Sequence, residues 1–145
     1  MRRLVFSATF TIALALTSVA SDQLAFEMQK NAEATIYNLR LRQGDEVLTI
    51  WSERVPLIDG KEPNYWCNLS GWSKNQHGLL ALVENNEFFG KLLQFDSNGV
   101  LVAEFDGVGG WLQDIRRGGS IKLEPPDKIE ATGPDGTTNR FLIRD

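Results

Sequence analysis

The residues best suited to ligand binding form one short segment, Tyr65-Trp66-Cys67-Asn68-Leu69-Ser70-Gly71-Trp72. Three large aromatic side chains lie within eight residues, beside Asn and Ser side chains that can form hydrogen bonds. Flat aromatic rings suit sugar rings, peptide side chains or the hot spot of a partner protein. If the segment is a strand, Tyr65 and Trp66 point to opposite faces. We therefore expect one of them to be exposed, or covered by something other than the core.

Tyr65, Trp66 and Trp72 are accordingly the predicted binding residues, and Trp111 is a weaker candidate of the same kind. The alternative is that these rings pack in the core, with a Trp capping one end of a sandwich, because Trp is mostly buried on average. The two interpretations differ in what they predict for exposure. A binding role requires a ring that solvent can reach.

Cys67 and His77 are the one Cys and the one His of the chain. A catalytic thiolate needs a nearby base and usually a third group that orients it. The residues around this pair match no cysteine-hydrolase pattern, so no catalytic residues are predicted and the chain is expected not to be an enzyme. One Cys also excludes an intrachain disulfide. Cys67 is therefore expected to be buried, with an intermolecular disulfide as the alternative.

No metal or cofactor site is predicted. One His and one Cys cannot make a zinc site without several carboxylates. Asp96-Ser97-Asn98-Gly99 resembles a fragment of a calcium loop, but the other ligands are missing at the required spacing, so a tight turn is predicted instead. Gly107-Val108-Gly109-Gly110 lacks the later Gly and the helix of a dinucleotide-binding motif.

The elements that position these residues show a hydrophobic period of two, which is typical of β-strands. Turn residues rich in Gly, Asn, Asp and Pro separate the segments, and the hairpin over 88–106 has the strongest pattern. Residues 111–115 fit either a short strand or one helical turn. Strands are predicted at 24–29, 37–42, 47–51, 79–83, 88–95, 100–105, 120–124, 128–132 and 140–144.

This pattern predicts an all-β fold, an antiparallel β-sandwich of roughly eight to ten short strands. A small up-and-down β-barrel is the alternative. Val55 to Gly78 is the one long stretch without a clear pattern. A loop of that length in a compact domain is often functional, unless it contains strands that the pattern does not reveal.

The first twenty residues are predicted to be a secretory signal peptide. Arg2 and Arg3 give a positive start, 4–16 is apolar apart from Ser and Thr, and Ser18-Val19-Ala20 supplies the small residues that signal peptidase requires. The rest of the chain, 21–145, has the length of a single domain. We expect it to be secreted or periplasmic.

Net charge and hydropathy limit the classes of partner that the chain is expected to bind. Without Arg2 and Arg3 the chain has 13 basic and 19 acidic side chains, a net charge of −6. Phosphate backbones and anionic lipids repel such a surface, so nucleic-acid binding is not expected. No apolar run after residue 20 is long enough to span a membrane.

The leading functional hypothesis is an exported, soluble, non-enzymatic binding or protein-interaction domain, with an unknown protein or glycan partner. One alternative is a lipocalin-like carrier that holds a small apolar ligand in a lumen lined by strands such as 88–95 and 100–105. A further alternative is a small hydrolase that uses Cys67 or a carboxylate pair such as Glu104 and Asp106, which share one face of a strand.

Overall fold

The computed structural model describes residues 22–86, 90–106, 108 and 118–143. These residues form ten strands in three antiparallel sheets. The predicted all-β sandwich is confirmed, and the barrel alternative is wrong, because none of the three sheets closes on itself. The predicted signal peptide (1–20), the 111–115 segment and Trp111 lie outside the described residues.

Two of the sheets form the sandwich, and the third lies behind it. The front sheet has the order β1-β2-β3, the central sheet β4-β5-β6-β7, and the rear sheet β10-β9-β8. The strands are β1 (Gln23–Lys30), β2 (Ala34–Gln43), β3 (Glu46–Pro56), β4 (Cys67–Asn75), β5 (Gly78–Asn85), β6 (Lys91–Phe95), β7 (Leu101–Asp106), β8 (Ser120–Glu124), β9 (Lys128–Thr132) and β10 (Thr138–Leu142).

The main core fills the space between the front and central sheets. Alternate residues of each strand point inward, as the period of two predicts. The buried cluster takes Leu24, Tyr37, Leu39, Leu41 and Trp51 from the front sheet, and Cys67, Leu79, Ala81, Val83, Leu93 and Phe95 from the central sheet.

The central strand β5 is buried on both of its faces. Leu79, Ala81 and Val83 point to the front sheet, whereas Leu80 and Leu82 point the other way and are equally buried. The rear sheet covers that second face through β8, which contacts β4 and β5. This double burial explains why the sequence of β5 is an unbroken apolar run, since a strand with one solvent face would alternate.

The turn between β6 and β7 has the predicted chemistry. The Oδ1 atom of Asp96 accepts hydrogen bonds from the backbone N–H groups of Asn98 (2.8 Å) and Val100 (3.0 Å). Gly99 has a φ of +83°, a conformation that Gly adopts without steric cost. The segment is therefore a tight turn that closes the 88–106 hairpin, of which residues 88 and 89 lie outside the described part.

The interpretation of Val55 to Gly78 as one long irregular stretch is wrong. β3 continues to Pro56, and β4 occupies Cys67–Asn75. β4 escaped detection because it is a half-exposed edge strand with a β-bulge at Ser70, and the bulge shifts its alternation by one residue. Only the segment 57–66 is irregular, and a bridge between Ile58 and Lys61 tightens it.

In the part of the chain that the structure describes, three of the four edge strands of the sandwich carry a β-bulge. The strand pairings each skip one residue on the edge strand: Ile50 on β3, Ser70 on β4 and Val102 on β7. Bulges twist an edge and disturb its hydrogen-bonding row, which discourages pairing with another chain. The fourth edge, β1, pairs with β2 over all eight residues without a shift.

Candidate functional site

A cleft of about 560 Å³ opens beside the end of β4, where the front and central sheets part. Trp72 stands opposite Ala81 and so points to the core side of the central sheet. Because β4 is an edge strand, the Trp72 side chain is not fully covered and the residue is 36% exposed. The cleft is lined by Asp22, Trp72, Lys74, Asn75, Gln76 and Ser97. We call it the Trp72 cleft.

An ion pair joins the two sheets at this cleft. Lys74 Nζ lies 2.5 Å from Asp22 Oδ2, and the Lys74 side chain is largely buried. The pair neutralises both charges. Each partner keeps further hydrogen-bonding capacity, since an ammonium group has three donors and a carboxylate accepts at both oxygens.

The side chain of Asn75 fixes the turn that borders the cleft. Its Nδ2 donates to the carbonyl of Pro125 at 2.7 Å, and its Oδ1 accepts from the backbone N–H of His77 at 2.8 Å. One amide therefore holds the β4–β5 turn and ties it to the β8–β9 turn of the rear sheet. These two hydrogen bonds fix the backbone of the β4–β5 turn, which lines one side of the Trp72 cleft.

Tyr65 belongs to the core rather than to the Trp72 cleft. Its ring lies 5.7 Å from that of Tyr37, centroid to centroid, and it packs against the edge of the main core. Tyr65 and Trp66 do differ in exposure as the sequence predicted, because Trp66 is 49% exposed and Tyr65 is half-buried.

Trp66 lies outside the Trp72 cleft, and Asn86 fixes its backbone. The side chain of Asn86 accepts from the backbone N–H of Trp66 at 3.1 Å and donates to the carbonyl of Asn64 at 2.6 Å. Trp66 precedes β4, whereas Trp72 lies six residues further along, roughly 20 Å away at the usual strand rise. The three aromatic residues therefore do not form one platform.

Five cleft residues were not predicted from the sequence: Asp22, Lys74, Asn75, Gln76 and Ser97. They come from the residue before β1, the end of β4, the β4–β5 turn and the β6–β7 turn, and they converge only through the pairing of the strands. The one local signal was Trp72 itself, an aromatic residue within a polar run.

Cys67 lies at the other end of β4, in a setting that disfavours a thiolate. Burial, together with the nearby Glu53 carboxylate, raises the pKa of the Cys67 thiol to about 12. Burial and Glu53 also raise the pKa of Tyr65. His77 follows β4 at its far end, roughly 30 Å away at the usual strand rise. Cys67 and His77 thus cannot act as a nucleophile and its base.

Thiol labelling tests this account of Cys67. A pKa near 12 instead of the ordinary 9.0 lowers the thiolate fraction at pH 8 roughly a thousandfold. We expect the native protein to react with a thiol reagent at least about a hundredfold more slowly at pH 8 than the same protein in denaturant, with a rate that still rises above pH 10. Rapid native labelling with a plateau near pH 9 would contradict it.

Glu104 and Asp106 share one face of β7, as the sequence predicted, and both lie beside Lys91. Lys91 Nζ is 3.8 Å from Glu104 Oε2 and 3.5 Å from Asp106 Oδ1. Glu104 Oε1 also accepts a hydrogen bond from Trp51 Nε1 at 2.8 Å. These contacts connect β7 to β6 and to the front sheet. Both carboxylates therefore stabilise the fold.

An apolar groove of about 380 Å³ lies between the central and rear sheets. Its walls include Leu92 and Phe105 on the central sheet, and Ile129, Phe141 and Leu142 on the rear sheet. The groove is on the outer side of the central sheet. It is not the lumen expected for a carrier, because Leu93 and Phe95 fill the space inside the sandwich.

Comparisons with known proteins add no functional assignment. No protein-family model matches the chain, and no curated protein or solved structure is significantly similar to it. In the part of the chain that the structure describes, no helix combines the length and the apolar character needed to cross a membrane. Within the same residues, no group of three or more His, Cys, Asp or Glu side chains is arranged so that it could hold a metal ion.

Proposed function

We propose that this protein is an exported, non-enzymatic binding domain, and that its ligand is a carbohydrate held in the Trp72 cleft. The observation that carries the proposal is the partly exposed Trp72 side chain in a cleft whose other lining residues are polar. The predicted signal peptide and the acidic composition support export and solubility.

The composition of the cleft favours a carbohydrate over an apolar ligand. A sugar ring has C–H groups on its flat faces and hydroxyl groups around its rim. Trp72 offers a flat apolar surface for the face. Lys74, Gln76 and Ser97 offer donors and acceptors for the hydroxyls. An apolar molecule would instead strip water from these polar groups without replacing their hydrogen bonds.

The non-enzymatic part of the proposal has its own support. The Cys67 thiol is buried and protonated at neutral pH, and it is far from His77. Glu104 and Asp106 are engaged by Lys91 and do not face each other across a cleft, as the two carboxylates of a glycosidase must. These observations favour a Trp72 cleft that binds a ligand without converting it.

The replacement Trp72→Ala tests the site. We expect the protein to bind one class of oligosaccharide on an array of defined glycans, and Trp72→Ala to weaken that binding at least about 30-fold, because an aromatic anchor in a small site carries much of the binding energy. Titration calorimetry with the retained oligosaccharide gives the affinities. Trp66→Ala is the matched control, since it removes an exposed Trp outside the cleft, and it should leave the affinity within about twofold.

Two outcomes would overturn this assignment. One is a bound oligosaccharide whose affinity falls with Trp66→Ala and not with Trp72→Ala. The other is an array without binding, combined with a protein from the envelope or secreted fraction that the domain retains through Trp66. That second outcome would favour a protein-interaction domain whose hot spot lies on the 57–66 segment.

A carrier of a small apolar molecule is the second candidate, and the apolar groove between the central and rear sheets favours it. Phe105 and Ile129 would contact such a molecule from the two walls. This candidate would be supported by a fluorescent apolar probe that binds the protein with one-to-one stoichiometry and that no longer binds the Phe105→Ser variant. A probe that the protein does not bind would exclude it.

A further inference from the structure

The edge strand β1 has the features of an interface. It is the one sandwich edge in the described part without a bulge, and no other described strand pairs with its outer side. A regular edge of eight residues exposes a row of backbone donors and acceptors, which is a template for another strand. Met28 on this strand is 55% exposed although it points to the core side, as its pairing with Tyr37 shows.

The residues of β1 are complementary to themselves in one antiparallel register. With Phe26 opposite its own copy at a twofold axis, Leu24 faces Met28 and Gln23 faces Gln29. Ala25 then faces Glu27. Two copies of β1 so aligned place apolar residues together on the core side and, apart from Ala25, polar residues together on the outer side.

Charge complementarity points to the same register. Asp22 precedes β1 and Lys30 ends it, so each Asp22 faces a Lys30 of the second copy. The two symmetric pairs carry opposite charges, and no like charges stand opposite each other. Asp22 and Lys30 already pair within the chain with Lys74 and Glu62, but both keep capacity for a second contact.

We propose that the partner of β1 is a second copy of this chain, joined antiparallel through β1 around a twofold axis at Phe26. The front sheets of the two copies then form one continuous sheet of six strands, and Leu24 of each copy covers Met28 of the other. The interface is isologous, as in most dimers. This proposal rests on the edge of β1 and needs no carbohydrate ligand, although one residue, Asp22, also lines the Trp72 cleft.

Two replacements at Ala25 test the interface with opposite expected signs. Ala25 faces Glu27 of the second copy in the proposed register, and it faces Arg40 within its own chain. Ala25→Glu should raise the dimer dissociation constant about tenfold, because it places two like-charged pairs across the interface. Ala25→Lys should lower that constant several-fold. Sedimentation equilibrium at low salt measures both.

The same replacements separate association from folding. Within the chain, Glu at position 25 stands beside Arg40 and should not weaken the fold, whereas Lys at that position should weaken it slightly. A protein that stays monomeric up to about 100 µM, or a dimer that both replacements affect equally, would overturn the proposal.

Cross-linking tests the register. In the double variant Gln23→Cys with Gln29→Cys, the new thiols are roughly 20 Å apart within one chain but face each other across the twofold axis. Air oxidation should give a covalent dimer from the double variant and not from either single variant, while Cys67 stays buried. If the double variant is dimeric but forms no disulfide between the two chains, the interface lies on another surface.

Discussion

Replacing Gly78 with Ala is expected to lower the free energy of unfolding by about 3 kcal/mol. Gly78 begins β5 with a φ of +154°, and a Cβ atom there would lie 2.5 Å from the carbonyl oxygen of Phe95 on β6. That oxygen belongs to the backbone of a neighbouring strand, so it cannot move aside without disturbing the pairing of β5 with β6. The Cβ atom of Pro126, in the β8–β9 turn, would lie 3.7 Å from the added Cβ atom, an ordinary van der Waals contact, so the clash is with Phe95.

Urea denaturation followed by Trp fluorescence measures this loss, and Gly44→Ala is its control. Gly44 has a φ of +62°, so the replacement carries the cost of a left-handed conformation, but its Cβ would meet nothing within 4 Å. We expect Gly44→Ala to cost about 1 kcal/mol. Equal losses for the two variants would mean that backbone conformation, and not the contact with Phe95, explains the requirement for Gly78.

Replacing Leu80 with Ala should lower the free energy of unfolding by about 3 kcal/mol. Leu80 is fully buried although it points away from the main core. The loss has to come from the packing of the central sheet against the rear sheet. Leu79→Ala, which removes the same atoms on the front-facing side, should cost about as much. Chemical denaturation with a single transition gives both values.

Leu101→Ala provides the control for the buried leucines. Leu101 lies on the edge strand β7 and is 37% exposed, so its replacement should cost less than about 1 kcal/mol. If Leu80→Ala is as mild as Leu101→Ala, the rear sheet does not protect the second face of β5 in solution. A Leu80→Ala variant that loses the rear sheet in a separate transition would lead to the same conclusion.

The strands that the sequence predicted well are those whose structure depends on local patterns. β1 and β2 show alternation, and the turns at Gly44 and Gly99 have the residues that positive φ favours. β4 was missed because one bulged residue, Ser70, breaks the alternation that defines a strand. The pairing of strands into three sheets depends on long-range contacts, which no local pattern contains.

In the candidate site, too, the features that depend on local sequence were predicted, and those that depend on long-range contacts were not. Trp72 was predicted as a binding residue from its type and its neighbours, and the structure places it in a cleft. Its grouping with Tyr65 and Trp66 does not hold in space, because proximity along a strand says nothing about a shared surface. Asp22 and Ser97 were beyond prediction, since each enters the Trp72 cleft from a distant part of the chain.

The position of β5 has a consequence for motion. Its two edges pair with β4 and β6, and its two faces lie under the front and rear sheets. A transient departure of the rear sheet would still leave the backbone amides of β5 hydrogen-bonded to β4 and β6, whereas fraying of the edge strand β4 would release those that bond to it. Hydrogen exchange at the β5 amides that bond to β6 should therefore require the opening of the whole molecule, and their exchange rates would report its global stability in native buffer.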